Sequence, residues 1–275
     1  MKRFLNPLMA ASVVVLASAC AKVERIEVKP AKVALSEAGQ SVALSAQAVT
    51  AEGKPVEKAE LAFASTNTKV ATVDAAGKVT AVKSGSANIS VTSGEVSASA
   101  PVEVVIPSAI VIQGAPFTLT GLGSEAVVEA EVKDDAGRPV KDSKLEYAAA
   151  DANVVQVEGN KLVAKAVGTA KVTVTSGKLT QEFEVTVKLP EVDAVAFETV
   201  PATLKVGESA ALAVVAKGTD GAAIKGVSFT FTTSDEKIAT VDASGNVTAV
   251  KAGAVTIKAE GGSKAAETKL TIKKK

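Results

Sequence analysis

The sequence has 275 residues, enough for two or three ordinary domains, and its composition argues against catalysis. It contains no His, no Trp, one Tyr and one Cys, which removes the commonest general base and any intramolecular disulfide. The formal net charge of +1 provides no general electrostatic reason to bind nucleic acid. We therefore expect no enzymatic activity, no cofactor and no nucleic-acid partner.

The first residues resemble a targeting signal. Lys2 and Arg3 precede an apolar run, 8–19, that ends at Cys20. The run is about 12 residues long, too short to cross a bilayer core of about 30 Å, which is typical of a signal peptide. The ending LASAC resembles the bacterial lipobox, which implies a lipoprotein signal peptide over 1–19 and a lipidated Cys20 with a short tether, 20–22. An ordinary secretory signal that leaves Cys20 free is the alternative.

Lipidation of Cys20 would make the membrane a partner of the protein. Acyl chains such as palmitate contribute about 0.8 kcal/mol for each buried CH₂, so several chains make release negligible. In lipoproteins of bacteria with two membranes, Ala rather than Asp after the Cys, as at Ala21, implies transport to the outer membrane. The sequence thus predicts a lipid anchor at the outer membrane and leaves open whether the chain faces the periplasm or the cell surface.

After the signal, the chain repeats itself with a period of roughly 84 residues. The stretch IATVDASGNVTAVKAG, 238–253, has a near-identical copy, VATVDAAGKVTAVKSG, at 70–85. A diverged copy, VVQVEGNKLVAKAVG, lies at 154–168 and lacks one residue at the turn. We expect three repeats, which are 23–106 (repeat 1), 108–189 (repeat 2, the most diverged) and 191–275 (repeat 3).

Apolar and polar residues alternate along each repeat, which predicts antiparallel sheets with one dry face, packed as a sandwich. One aromatic residue recurs at the same place in each repeat and is expected to fill the centre of the core. Asp and Gly suit the tight turn inside the repeated stretch. The predicted core signature is Phe63, Tyr147, Phe231, Val73, Val79, Val157, Leu162, Val241 and Val247, and the predicted turn residues are Asp74, Gly77, Asp242 and Gly245.

The central aromatic, a following Ser/Thr/Asn patch, the V/I-A-T-V-D-x-x-G-x-V-T-A-V-x-x-G stretch and an alternating last strand resemble bacterial immunoglobulin-like domains of group 2. This resemblance covers nearly all of the mature chain. It implies an all-β fold of three tandem Ig-like β-sandwich modules. Pro107 and Pro190 fix the backbone between consecutive repeats, so we expect an elongated rod with limited bending.

Few side chains suggest a specific site. Glu191 and Asp193, between repeats 2 and 3, are weak calcium candidates, and solvated surface charge is the alternative. The acidic pairs 134–135 and 235–236 lie at turns without the dense oxygen ligands of a calcium loop. Without His, nucleophilic catalysis would need a Ser and Lys pair, and these residues fall on the solvent faces of the predicted strands. We predict no metal site beyond the two candidates.

Two further features leave alternatives open. Lys269 and the final lysines, 273–275, are expected to protect an edge strand and keep the protein soluble, or to contact an anionic surface or glycan. Phe117, Phe183 and Phe197 lie in apolar, strand-like segments, so we expect core packing. Exposure of these rings on a common face would instead favour binding.

These observations lead to two hypotheses of different classes. The first is a non-catalytic, lipid-anchored Ig-like rod of the bacterial cell envelope that acts as a structural spacer or in adhesion. The second is a binding module that recruits a specific envelope protein or glycan. Exposed aromatic rings or a concentrated charge patch in repeat 2 would favour the second hypothesis.

Overall fold

The protein is described from a computed structural model that covers residues 22–275. The predicted signal peptide and Cys20 lie outside the described residues. Between residues 22 and 275 all regular elements are β-strands, and no helix long and apolar enough to cross a membrane is found there. The chain divides into two compact units, one formed by residues up to Pro107 with Asp134–Arg138 and the other by the remainder.

The first compact unit contains repeat 1. Its strands are short, rich in β-branched residues and bounded by Gly, Asn and Asp turns, as expected for a sandwich. The strands are β1 (Arg25–Lys29), β2 (Val33–Leu35), β3 (Ser41–Ala43), β4 (Ser45–Val49), β5 (Ala62–Ser65), β6 (Ala71–Val73), β7 (Lys78–Ala81), β8 (Gly85–Ser93) and β9 (Val96–Val104). They form a four-stranded sheet of order β2-β9-β8-β5, a three-stranded sheet of order β3-β7-β6 and the pair β1-β4.

The second compact unit contains repeat 3 and repeat 2 except for Asp134–Arg138. The strands of repeat 2 are β10 (Pro107–Ile112), β11 (Phe117–Thr120), β12 (Glu125–Val127), β13 (Ala130–Asp134), β14 (Glu146–Ala149), β15 (Val155–Glu158), β16 (Lys161–Ala164), β17 (Gly168–Ser176) and β18 (Leu179–Lys188). The strands of repeat 3 are β19 (Ala194–Thr199), β20 (Thr203–Lys205), β21 (Ser209–Ala211), β22 (Ala213–Lys217), β23 (Ala223–Ile224), β24 (Phe229–Thr233), β25 (Ala239–Val241), β26 (Asn246–Ala249), β27 (Gly253–Gly261) and β28 (Lys264–Lys273).

The strand order of repeat 1 recurs in repeats 2 and 3. The four-stranded sheets have the orders β11-β18-β17-β14 and β20-β28-β27-β24, and the three-stranded sheets have the orders β12-β16-β15 and β21-β26-β25. In each repeat the first strand of the larger sheet runs parallel to its neighbour, as β2 does to β9, and the other pairs within the sheets are antiparallel. The all-β sandwich predicted from alternation is confirmed, while the predicted boundaries of the repeats stay a prediction.

Each repeat has its own apolar core between the two sheets. Val79, Leu162 and Val247 occupy equivalent positions on β7, β16 and β26 and are fully buried. Their cross-strand partners are Val42, Ala126 and Ala210. Of the other signature residues, Val73, Val157 and Val241 are half-buried and pack against these cores.

The turns of repeats 1 and 3 form a common hydrogen-bonded structure. Asp74 Oδ1 accepts hydrogen bonds from the backbone N–H groups of Ala76 and Lys78, each at 2.9 Å, and Gly77 has φ of 80°. Asp242 Oδ1 accepts the same pair of bonds from Ser244 and Asn246. A carboxylate that accepts two backbone N–H groups fixes the turn, and glycine provides the left-handed conformation.

A third turn of this kind lies in the first compact unit, at Asp134–Arg138. The Asp134 carboxylate is buried and accepts bonds from the N–H groups of Ala136 and Arg138 and from the Arg138 guanidinium. Burial alone would raise the pKa of Asp134, but these hydrogen bonds hold it below its usual value. Asp135 accepts a bond from the Ser84 N–H at 3.0 Å. The acidic pair 134–135 therefore has a structural explanation.

Replacing Leu162 with Ala should destabilise repeat 2 by about 3 kcal/mol, because it removes a fully buried side chain and leaves a cavity. Native-state amide hydrogen exchange of β15 and β16 measures the loss of stability in repeat 2 separately from the other repeats. The matched control is Val127→Ala on the neighbouring strand, where the side chain is 58% exposed and the expected change is within about 0.5 kcal/mol. Equal exchange rates in the two variants would contradict the assignment of Leu162 to the core.

Candidate functional site

The recurring aromatic residues lie on the edge strands of the four-stranded sheets. Phe63 on β5, Tyr147 on β14 and Phe231 on β24 pair with β8, β17 and β27, and these edge strands have no second neighbour within their sheet. All three residues are half-buried and pack against their cores. These residues pack against their cores as the core signature predicts, and they lie at the margin of each core because each is on an edge strand.

In repeats 1 and 3 a turn glycine covers this ring from the other side. A Cβ atom added at Gly77 would lie 3.1 Å from the Phe63 ring and 2.6 Å from the Leu44 carbonyl oxygen. A Cβ atom added at Gly245 would lie 2.9 Å from the Phe231 ring. These distances leave no room for a side chain, so glycine allows the backbone to close over the aromatic residue.

Repeat 2 is built differently because its turn is one residue shorter. Glu158 pairs with Lys161, so Gly159 and Asn160 alone form the hairpin turn. Asn160 occupies the place of Gly77, and its side-chain amide donates to the Val128 carbonyl oxygen at 3.3 Å. A Cβ atom added at Gly159 would meet no atom within 4 Å. Asn160 has a Cβ atom at the place where repeat 1 leaves no room for one, so the turn of repeat 2 cannot approach Tyr147 as closely as Gly77 approaches Phe63.

A groove of about 750 Å³ lies beside Tyr147 and this turn, and we call it the Tyr147 groove. One wall is the edge strand β14, another is the segment where β12 passes into β13, and the third is the β15–β16 turn. Its polar lining residues are Gln113, Glu129, Glu131, Glu146, Tyr147 and Asn160. The volume falls in the range of small-ligand sites, and the groove combines one aromatic ring with converging polar groups.

Two of the three glutamates in the groove already have a lysine partner. Glu131 lies 3.1 Å from Lys133, and Glu146 lies 2.7 Å from Lys144. The hydrogen bond from Lys144 and its charge hold the pKa of Glu146 below its usual value. Glu129 is exposed and has no hydrogen bond or ion pair to another side chain within residues 22–275. Its carboxylate is thus available to a ligand.

Tyr147 is the one tyrosine of the chain. Burial raises the pKa of its phenol above the usual value, because the anion loses hydration at this position. No side chain or backbone group in the described part of the chain hydrogen-bonds to its hydroxyl. The ring packs against the core of repeat 2 and also lines the groove.

The structure does not assemble the predicted calcium candidates into a site. Glu191 and Asp193 are exposed, and Lys264 Nζ lies 3.9 Å from Asp193. Among residues 22–275, no three acidic, histidine or cysteine side chains form a group that could hold a metal ion. Calcium requires six to eight oxygen ligands, whereas Asp193 faces a cation.

The other predicted features are structural. Phe117 and Phe183 pack with ring centroids 5.4 Å apart, Phe183 is 7% exposed, and Phe197 packs against the cores of repeat 3. Lys269 and Lys273 lie on β28, which pairs with both β27 and β20. The parallel strand β20 pairs with β28 over 271–273, so Lys273 lies inside its sheet, whereas Lys269 lies before the paired segment and the edge-strand explanation of this residue stays a prediction.

Sequence reasoning missed Gln113, Glu129, Glu131, Glu146 and Asn160. Their segments lie far apart in the chain, and outward-facing Glu and Gln residues are ordinary on β-strands. The available signal was the shorter turn of repeat 2. Because the equivalent turns of repeats 1 and 3 contact the recurring aromatic ring, a residue missing from this turn indicates that the ring has a different neighbour in repeat 2.

Comparison with known proteins identifies the domain type. A family model of the bacterial Ig-like domain (group 2) matches residues 22–104 and 191–272, more than half of the chain. No curated protein matches the chain significantly. The chain is similar to domains 1–6 of the surface layer protein SbsC, at 18% identity and a TM-score of 0.33, with 93% of this chain and 41% of that chain covered.

Two adhesion proteins are also similar to the chain. Invasin, described as a bacterial integrin-binding protein, shares 17% identity at a TM-score of 0.38, over 90% of this chain and 60% of its own. The Escherichia coli adhesin FdeC shares 14% identity at a TM-score of 0.42, over 90% of this chain and 96% of its own. The chain thus spans less than half of the SbsC fragment and less than two thirds of the invasin structure.

The tyrosinate absorbance of the folded chain should titrate with a midpoint above the ordinary value near 10, since burial raises the pKa of Tyr147. Unfolding in urea should return the midpoint to about 10. The folded chain therefore keeps its full stability below about pH 10 and loses stability as the pH rises through the pKa of Tyr147 in the folded state. Equal midpoints in the folded and unfolded chains would contradict the placement of Tyr147 against the core.

Proposed function

Because the chain belongs to the bacterial Ig-like domain (group 2) family, we propose that it is a non-catalytic, lipid-anchored protein of the cell envelope, with a structural spacer or adhesion role. The observation that carries this proposal is the recurrence of one sandwich strand order with its own apolar core in each repeat. Repetition of a self-contained core adds length and surface without adding chemistry.

The residue content supports a non-catalytic role. Catalysis by a serine or threonine needs a positioned base, and the sequence contains no His. Asp134, a buried acidic residue, is engaged by backbone N–H groups and by Arg138 within its own turn. Its carboxylate therefore has a structural partner for each of its oxygens.

The proposed anchor is a set of acyl chains on Cys20. The position of Cys20 at the end of the apolar run supports this proposal, and the first strand, β1, begins at Arg25 after a short segment. A short tether would keep repeat 1 near the lipid surface. With Ala21 after the Cys, the proposed location is the outer membrane, on its periplasmic or its outer side.

A second candidate function is a binding module that recruits an envelope protein or a glycan. The Tyr147 groove is the specific observation that favours it, because repeat 2 combines an aromatic ring, amide groups and an available carboxylate in one concavity. A pure spacer needs no such combination.

The substitution Cys20→Ser should release the protein from membranes, since it removes the atom that carries the acyl chains. Cell fractionation followed by detection of the chain measures the distribution, and the wild-type chain should stay in the membrane fraction. Continued membrane association of the Cys20→Ser variant would contradict the anchor. Protease added to intact cells then distinguishes the sides: digestion supports adhesion, and protection supports a periplasmic spacer.

A further inference from the structure

We propose that the Tyr147 groove binds an uncharged oligosaccharide, which stacks a pyranose ring on Tyr147 and donates hydroxyl hydrogen bonds to Glu129 and Glu131. This inference rests on the second candidate function, a binding module, and is independent of the lipid anchor. It assigns recognition to repeat 2 alone.

The groove is specific to repeat 2 in shape. The rings of Phe63 and Phe231 lie against turn glycines, whereas in the shorter turn of repeat 2 Asn160, which has a Cβ atom, takes the place of that glycine. Tyr147 lines a concavity of about 750 Å³ beside this turn. A half-buried tyrosine at the wall of a concavity of this size provides a flat apolar surface, which the C–H face of a sugar ring matches.

The groove is also specific to repeat 2 in chemistry. Glu129 and Glu131 correspond to Ser45 and Gln47 in repeat 1 and to Ala213 and Val215 in repeat 3. The remaining polar residues differ in the same way: Glu146 corresponds to Ala62 and Thr230, and Asn160 corresponds to Gly77 and Gly245. The acceptors that surround the ring are therefore found together in repeat 2.

These acceptors fit hydroxyl donors. Glu129 is exposed and has no side-chain partner in the described chain, so a ligand hydroxyl reaches it without displacing another group. A hydroxyl bonded to a carboxylate forms a short, charge-assisted hydrogen bond. The Gln113 and Asn160 side chains add amide groups at the ends of the groove, which are suited to further sugar hydroxyls.

The charges favour an uncharged ligand. The three glutamates repel an anionic polysaccharide. A cationic peptide would meet Lys133 and Lys144, which already lie 3.1 Å and 2.7 Å from Glu131 and Glu146. A sugar hydroxyl can donate a hydrogen bond to the Glu131 or Glu146 carboxylate while the lysine stays bound to it, so both ion pairs remain in place. An uncharged sugar thus binds without disrupting either ion pair.

The chain provides its own reporter for the test, because Tyr147 is the one tyrosine and no tryptophan is present. The purified whole chain is titrated with cellotriose, maltotriose and triacetylchitotriose, and tyrosine fluorescence is followed with and without acrylamide. At least one trisaccharide should bind saturably and protect Tyr147 from quenching. Trigalacturonic acid and trilysine should not bind.

Variants locate the binding to the groove, with calorimetry as the measurement. Glu129→Gln should weaken binding about tenfold, the effect of losing a hydrogen bond to a charged group. Glu182→Gln, an exposed glutamate on β18 of the same repeat and outside the groove lining, should leave binding unchanged.

Three results would overturn the proposal: no binding of any trisaccharide at about 10 mM, equal binding by both variants, or binding of trilysine without binding of the sugars. Membrane release of Cys20→Ser is measured separately. Loss of sugar binding with an intact anchor therefore leaves the spacer proposal standing.

Discussion

The contact between a turn and an aromatic ring determines how each sandwich is closed. Glycine at positions 77 and 245 has φ near 80°, and an added Cβ atom would lie about 3 Å from the Phe63 or Phe231 ring. The turn is held in place by an aspartate that accepts two backbone N–H bonds. The distance between the turn and the ring therefore determines which part of the ring a partner could contact.

The stability of the repeats and their surface chemistry are separable. The buried faces carry Val, Ile, Leu and Ala, and their burial provides the main stabilising free energy. Surface ion pairs such as Lys133–Glu131 contribute little to stability. The outward faces are therefore free to vary, and repeat 2 carries three glutamates at one groove without loss of its core. The same fold can therefore be kept while the residues on its outward faces differ from repeat to repeat.

Alternation and turn chemistry were sufficient to predict the sandwich fold and the burial of Val79, Leu162 and Val247, because a period of two directly identifies the dry face. The position of Tyr147 at the margin of its core was not predictable in this way, since it depends on which strand lies at a sheet edge. The position of β28 inside its sheet likewise depends on parallel pairing with β20, about 70 residues earlier. The Tyr147 groove combines four chain segments, and only the shorter turn was visible in the sequence.

The most direct test of this account is to give repeat 2 the turn of repeat 1. Replacement of Glu158-Gly159-Asn160 with Asp-Ala-Ala-Gly restores the missing residue and the glycine, and circular dichroism shows whether the variant remains folded. Acrylamide quenching of Tyr147 fluorescence is then compared with that of the wild-type chain. Weaker quenching is expected, because the restored glycine lets the turn approach the ring as closely as in repeat 1. Unchanged or stronger quenching in a folded variant would contradict it.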